Sequence, residues 1–159
     1  MVRALPAVAL VGAGITAIPD ASADYVDYRR LNESVVVNVY TIQKKNDCKT
    51  EIKINPKLRL AAQWHTNDVL NNRNLDGDIG SDGSTVQDRA NRAGFVGVAS
   101  ETVAINPALA ISGIEIINQW YYRPDYMAIM SNCANTQIGV WAESHWDRTV
   151  VVAVYGQPG

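Results

Sequence analysis

The sequence is poor in the residues that most often announce a function. It has only two histidines and two cysteines in 159 residues. Cys48 and Cys133 each stand far from a second cysteine or a histidine at ligand spacing, which argues against a structural zinc site and a CxxC redox site. No serine sits in the strained turn of a nucleophile elbow, and neither cysteine is placed like a catalytic thiol. Charge of one sign is also lacking. The 14 Lys and Arg nearly balance the 16 Asp and Glu, for a net charge of −2, and the basic residues are scattered. That leaves no electrostatic footprint for nucleic acid. No apolar run reaches the roughly 20 residues that span a bilayer, so no transmembrane anchor is expected. No spacing repeats along the chain, which excludes a solenoid.

What remains describes one packed domain. Hydrophobic residues make up 47% and charged residues 19%, enough apolar material for a core. The first 23 residues read as a secretory signal: Arg3 is the basic start, Ala7 to Ile18 the short apolar stretch, Pro19 its break, and Ala21-Ser22-Ala23 the small-x-small cleavage site. Cleavage after Ala23 leaves residues 24–159 as a single domain with no linker. A domain of that size buries roughly two thirds of its unfolded surface and folds without metal staples. No lipobox cysteine stands near the signal, so a lipoprotein is not indicated. The even cysteine count of an exported chain suggests a Cys48–Cys133 disulfide, with two independent buried thiols as the alternative.

Hydrophobic spacing predicts a helix over 27–46, with Leu31, Val35, Val39 and Ile42 on one face. A polar connection follows from Lys44 to Ile54. Asn55-Pro56 caps a second helix, whose buried face carries Leu58, Ala61, Ala62, His65 and Val69. Asn71 to Gly83 is turn chemistry. Ser84 is read as the cap of a short third helix ending near Gly94. Ser100 to Ile105 is a strand. Pro107 is read as opening a fourth helix with Ile114, Ile117 and Tyr121 inside, and Pro124 as starting a short helical turn. Two strands, 138–142 and 149–155, flank a loop from Glu143 to Arg148. The unbroken Val150-Val151-Val152-Ala153-Val154 predicts a central strand covered on both faces. The expected fold is α+β, a three-layer α-β-α sandwich around a small antiparallel sheet.

Several segments, in order, resemble the CAP superfamily of cysteine-rich secretory proteins, insect venom allergens and plant pathogenesis-related proteins, above all its small bacterial branch. They are Leu60-Ala61-Ala62-Gln63-Trp64-His65-Thr66-Asn67-Asp68; Gly80-Ser81-Asp82-Gly83-Ser84 with Asp88-Arg89 and Ala93-Gly94-Phe95; Ser100-Glu101-Thr102-Val103-Ala104; Trp120 with Arg123-Pro124-Asp125-Tyr126; and Ile138-Gly139-Val140 with Tyr155-Gly156. Many members of that family gather two histidines and one or two glutamates in a central cleft that can hold a divalent metal. Position by position, the resemblance places Asp78 and Tyr126 where the histidines stand, and Glu101 and Arg123 where the glutamates stand. Only Glu101 is retained. Zinc prefers imidazole or thiolate, so neither a tight metal site nor any cofactor is expected.

If Asp78, Glu101, Arg123 and Tyr126 converge, they form either a self-satisfied cluster, with Arg123 bridging a carboxylate, or a polar patch that fixes the head group of a ligand. A glycosidase-like pairing of Asp78 with Glu101 is disfavoured, because a neighbouring arginine lowers the pKa that a general acid needs raised. The acidic run from Asp76 to Gly83 fails the EF-hand pattern, with Gly80 at position 3 and Arg89 at position 12 counted from Asp78. His65 and His145 read as structural. Trp64, Trp120 and Trp141 read as core, and Trp146 as exposed. The resemblance implies a secreted, non-catalytic domain of a bacterial cell envelope, monomeric, binding a lipid, a sterol-like molecule or another hydrophobic small molecule, or else a protein partner. The run Ala108-Leu109-Ala110-Ile111 is a candidate groove lining. The rival is a hydrolase or peptidase-like enzyme using Glu101 and Asp78.

Overall fold

A computed structural model describes residues 12–14, 27–108 and 112–159. The signal read in residues 1–23 lies outside the described residues apart from 12–14, and so do residues 109–111 of the candidate groove lining. In chain order the elements are α1 (Arg29–Lys45), β1 (Lys53–Ile54), α2 (Pro56–Asn71), α3 (Val86–Arg92), β2 (Gly97–Asn106), α4 (Gly113–Tyr121), α5 (Pro124–Ser131), β3 (Gln137–His145) and β4 (Arg148–Pro158). The strands form one mixed sheet in the order β1-β3-β4-β2. β4 pairs antiparallel with both β2 and β3, and β1 runs parallel to β3.

β4 explains the three layers. Val150 to Tyr155 have no exposed surface. A strand sends alternate side chains to opposite faces, so this run feeds two cores. Val151, Ala153 and Tyr155 pack with Leu31, Val35 and Val39 of α1, Ile116 and Trp120 of α4, and Met130 of α5. Val150, Val152 and Val154 pack with Leu58, Ala61, Ala62 and Val69 of α2, Ala90 of α3 and Phe95. The α+β sandwich expected from sequence is therefore present, with a mixed rather than wholly antiparallel sheet.

The helix starts show where local signals decide. Asn55 caps α2 as expected, its side chain accepting from the Lys57 amide. α3 is capped by Thr85 rather than Ser84, because Thr85 and Asp88 form a reciprocal capping box. α4 begins at Gly113, six residues after the proline read as its start, with Ser112 accepting from the Glu115 amide. That start turns Ile116, Ile117 and Trp120 inward and leaves Ile114 and Tyr121 exposed. Ile114 and Ile116 both lie one helical turn or less from Ile117, so periodicity alone does not choose between the two faces. The stretch read as a polar connection contains buried Ile52 and the two residues of β1. β3 and β4 run longer than expected, leaving Trp146 and Asp147 as the turn between them.

Two devices tie the layers together. Cys48 and Cys133 form a disulfide with Cα atoms 5.1 Å apart, closing a sequence separation of 85 residues. In the chain-entropy account such a bridge contributes at most about 4–5 kcal/mol. Gly139 lets α2 press directly on β3, since a Cβ there would collide with the backbone of Leu58 and Arg59. Gly139→Ala is expected to cost roughly 3 kcal/mol or more through overpacking, measured by urea unfolding; a loss under about 0.5 kcal/mol, the size of an ordinary surface change, would contradict this close contact.

Candidate functional site

β2 is an edge strand, and its free side faces the loop that precedes α3 and the corner between α4 and α5. Glu101 sits in the middle of β2, paired across the sheet with Val154. Its side chain has no exposed surface. It meets α3 through Arg89, whose Nη2 donates to Glu101 Oε1 at 2.5 Å and to the Asp78 carbonyl at 2.8 Å. The other terminal nitrogen, Nη1, donates to the Ser84 carbonyl at 2.8 Å and to its hydroxyl at 3.2 Å. One guanidinium thus ties both ends of the 78–84 loop to β2. Its planar fork of donors suits this task in a way a lysine ammonium does not.

α2 adds a second pin. His65 Nε2 lies 2.8 Å from the Gly77 carbonyl and 3.6 Å from Glu101 Oε1. A carbonyl only accepts, so the hydrogen bond assigns the proton to Nε2. Burial, reinforced by Arg89, holds the His65 pKa below the usual imidazole range. Burial pushes the Glu101 carboxyl the other way, up to about 8, against the opposing pull of Arg89. Three atoms of this network, Glu101 Oε2, Arg89 Nε and His65 Nδ1, are buried without a hydrogen-bond partner among the described residues.

The four residues read from sequence gather around the same edge of β2 but do not form one hydrogen-bonded cluster. Arg123 is exposed; it donates to Asp125 at 2.8 and 3.3 Å and lies 3.6 Å from the centre of the Tyr126 ring. The guanidinium that pairs with Glu101 is therefore Arg89's, where the sequence reading looked to Arg123. Tyr126 is buried on the α1/α4/α5 side, edge-to-face with Trp120. Asp78 stands at the surface, held by its backbone carbonyl, and interacts through charge with Arg123, Tyr126 and Glu101. Sequence reasoning missed Arg89 and took His65 as merely structural. Arg89 occurs in a segment that carried the family resemblance, but nothing in its spacing distinguishes a buried arginine from a solvated one.

A divalent metal does not fit this donor set. Glu101 is sealed under the loop with one oxygen taken by Arg89, the His65 Nε2–H is spent on a backbone carbonyl, and Arg123 brings positive charge to the rim. Among the described residues, no three His, Cys, Asp or Glu side chains come together as a ligand set. Two hollows lie nearby in the fold. A pocket of about 200 Å³ at the edge of β2 is walled by Val103, Ile105, Trp120 and Arg123. A larger groove of about 330 Å³ runs between the start of α1 and β3, lined by Tyr28, Ile54, Val140, Trp141 and Ala142 together with charges of both signs, Arg29 and Arg59 and the acids Asp27, Glu33 and Glu143.

The α-β-α sandwich is the architecture of a known class. The chain belongs to the cysteine-rich secretory protein (CAP) family, which it matches over residues 23–155. No curated protein matches it. Among solved structures it is similar to an outer surface protein from Borrelia burgdorferi, with a TM-score of 0.73 and 17% identity over 84% of this chain and 97% of that one. It is also similar to an extracellular protein containing an SCP domain from Bacillus anthracis, with a TM-score of 0.65 and 14% identity over 79% of this chain and 39% of that one. A cysteine-rich secretory protein from Staphylococcus aureus gives a TM-score of 0.51 at 12% identity, over 77% of this chain and 38% of that one. At these identities the structural likeness speaks for the fold alone.

The Glu101 environment sets a pH dependence. In the unfolded chain its carboxyl titrates near 4.5, and in the folded protein near 8. Between those values the folded form holds the extra proton, so this contribution is fully present below about pH 4.5 and is lost as pH rises toward 8. His65 acts in the opposite sense: its depressed pKa makes stability fall as pH drops below the usual imidazole value of roughly 6.5. Glu101→Gln keeps an acceptor for Arg89 and removes the titration. Urea midpoints taken across pH should therefore lose the decline between about pH 4.5 and 8 in this variant and keep the fall that His65 causes at lower pH; identical profiles would mean that Glu101 titrates alike in the folded and unfolded protein.

Proposed function

We propose that the protein is an exported, non-catalytic CAP domain that acts by binding a hydrophobic small molecule, lipid or sterol-like. The observation that carries the non-catalytic reading is the burial of Glu101. The one acid that the resemblance retains from the family cleft has no exposed side-chain surface and is occupied by Arg89. A general acid or base must come within hydrogen-bond reach of the proton it moves, and Glu101 has no open path to a substrate. Asp78, at the rim, is left without the partner carboxylate that the hydrolase reading requires.

The groove between α1 and β3 supports the binding reading. Ile54, Val140, Ala142 and the rings of Tyr28 and Trp141 give it an apolar wall, and its volume of about 330 Å³ falls within the range of small-molecule sites, roughly 300–1,000 Å³. Charges of both signs also line it, Arg29 and Arg59 with Asp27, Glu33 and Glu143, and Arg29 pairs with Asp27, so the binding reading rests on the apolar walls and not on a charged head group. Export is supported by the small-x-small sequence ending at Ala23 and by the disulfide, which persists in oxidising compartments. The names of two structural relatives, an outer surface protein and an extracellular protein, agree with that location. No helix among the described residues is long and apolar enough to cross a membrane.

Ile54 offers a clean test, since it lines the groove and is 53% exposed. A charged substitution there spoils the groove without opening the core. Titration with a fluorescent palmitate analogue is expected to give saturable binding that weakens about tenfold or more in Ile54→Asp, a loss of about 1.4 kcal/mol, with no change in melting temperature. Absence of saturable binding to the parent protein would remove the lipid reading, and equal binding by the variant would move the ligand out of this groove.

A further inference from the structure

A third hollow, separate from the groove between α1 and β3, lies where α2, α3 and the 80–84 loop meet. Its volume is about 370 Å³, and its walls are Trp64, Asp68, Ser81, Asp82, Ser84 and Arg92, with Arg89 beneath. Trp64 is the unusual member. It projects from α2 with 37% of its surface exposed, and no hydrogen bond to its indole N–H occurs among the described residues. Around it stand two carboxylates and a guanidinium, a mixture of acceptors and donors beside a flat apolar face.

The bonding pattern narrows the ligand. Asp68 accepts from the Ser81 amide at 2.8 Å, the Ser81 hydroxyl at 2.6 Å and Asn72 at 2.8 Å. Asp82 accepts from the Ser84 amide at 2.9 Å and meets Arg92 loosely at 3.4 Å. These N–H and O–H donors already answer much of the carboxylate charge, which disfavours a metal cation. The carboxylates repel an anion, and Arg92 repels an organic cation. A carboxylate has about four lone-pair sites, and Asp82 and Asp68 each accept from three donors, so each keeps roughly one open. Hydrogen bonds from Ser84 also hold the Asp82 carboxyl down at about 2, ionised and ready to accept.

We propose that this pocket binds a neutral pyranose sugar, its C–H face stacked on Trp64, its hydroxyls donating to Asp82 and Asp68 and accepting from Arg92. A sugar ring is the ligand that presents an apolar face and a rim of hydroxyls together. Aromatic side chains with a polar edge serve this kind of mixed surface, and a few placed polar groups in a concave site fix the orientation.

The test uses the full chain with the disulfide intact and three probes: maltotriose, cellotriose and triacetylchitotriose. Binding is read by calorimetry and by tryptophan fluorescence. At least one probe is expected to bind with Kd of about 1 mM or tighter. Trp64→Ala and Asp82→Asn should each weaken it about tenfold or more. Trp146→Ala, which removes a tryptophan 81% exposed elsewhere, should leave it unchanged. Failure of all three probes to bind overturns the proposal. So does binding that survives Trp64→Ala, binding lost in Trp64→Ala but untouched by Asp82→Asn, or an equal loss in Trp146→Ala.

Discussion

The Arg89 guanidinium governs the arrangement around the cleft. It is buried, it carries four hydrogen bonds, and three elements of the chain meet at it: the 78–84 loop, α3 and β2. A buried charge left without partners costs several kcal/mol. Glu101 and the loop carbonyls supply the partners. Arg89 holds the loop at Asp78 and Ser84, and His65 adds a second hold at Gly77 beside the first, so the loop is fixed at both ends over the glutamate. The sealed state of Glu101, and hence the case against catalysis, follows from this one contact set.

The sheet makes that contact possible. β4 is buried on both faces and fixes the register of β2 against it, which puts Glu101 opposite Val154. Residues of one parity on β2, Ala99 and Val103 among them, face α2 and α3, while Ala104 faces the other core. Glu101 shares the parity of Ala99 and Val103, so it meets Arg89 and His65 rather than Tyr126. A slip of one residue would turn it to the opposite face. The close approach of α2 at Gly139 and the capping box at Thr85 then set where His65 and Arg89 can reach.

Much of this fold could be read from residues alone. The face of α1, the buried stripe of α2, the central strand and the disulfide were all legible, because each rests on a strong local pattern or on simple cysteine arithmetic. The start and inward face of α4 were not, since Pro107 and Ser112 are both acceptable starts and the choice rests on tertiary packing. The candidate site was legible only in part. Glu101 stood out through its neighbours in sequence. Its true partners did not, because Arg89 and His65 come from separate helices, and side-chain pairing across elements leaves no periodic trace. Arg123, the arginine that the family pattern pointed to, pairs with its near neighbour Asp125 instead.

The claim that one guanidinium holds the cleft closed is most directly tested by amide hydrogen exchange on Arg89→Lys. Lysine keeps the charge opposite Glu101 but lacks the fork of donors that spans Asp78, Ser84 and Glu101. The account predicts that amides of residues 78–84, including Gly80 and Gly83, whose amides donate within the loop, lose protection while those of β4 keep it. Unchanged protection in the loop would contradict it, as would a uniform loss across loop and β4 alike.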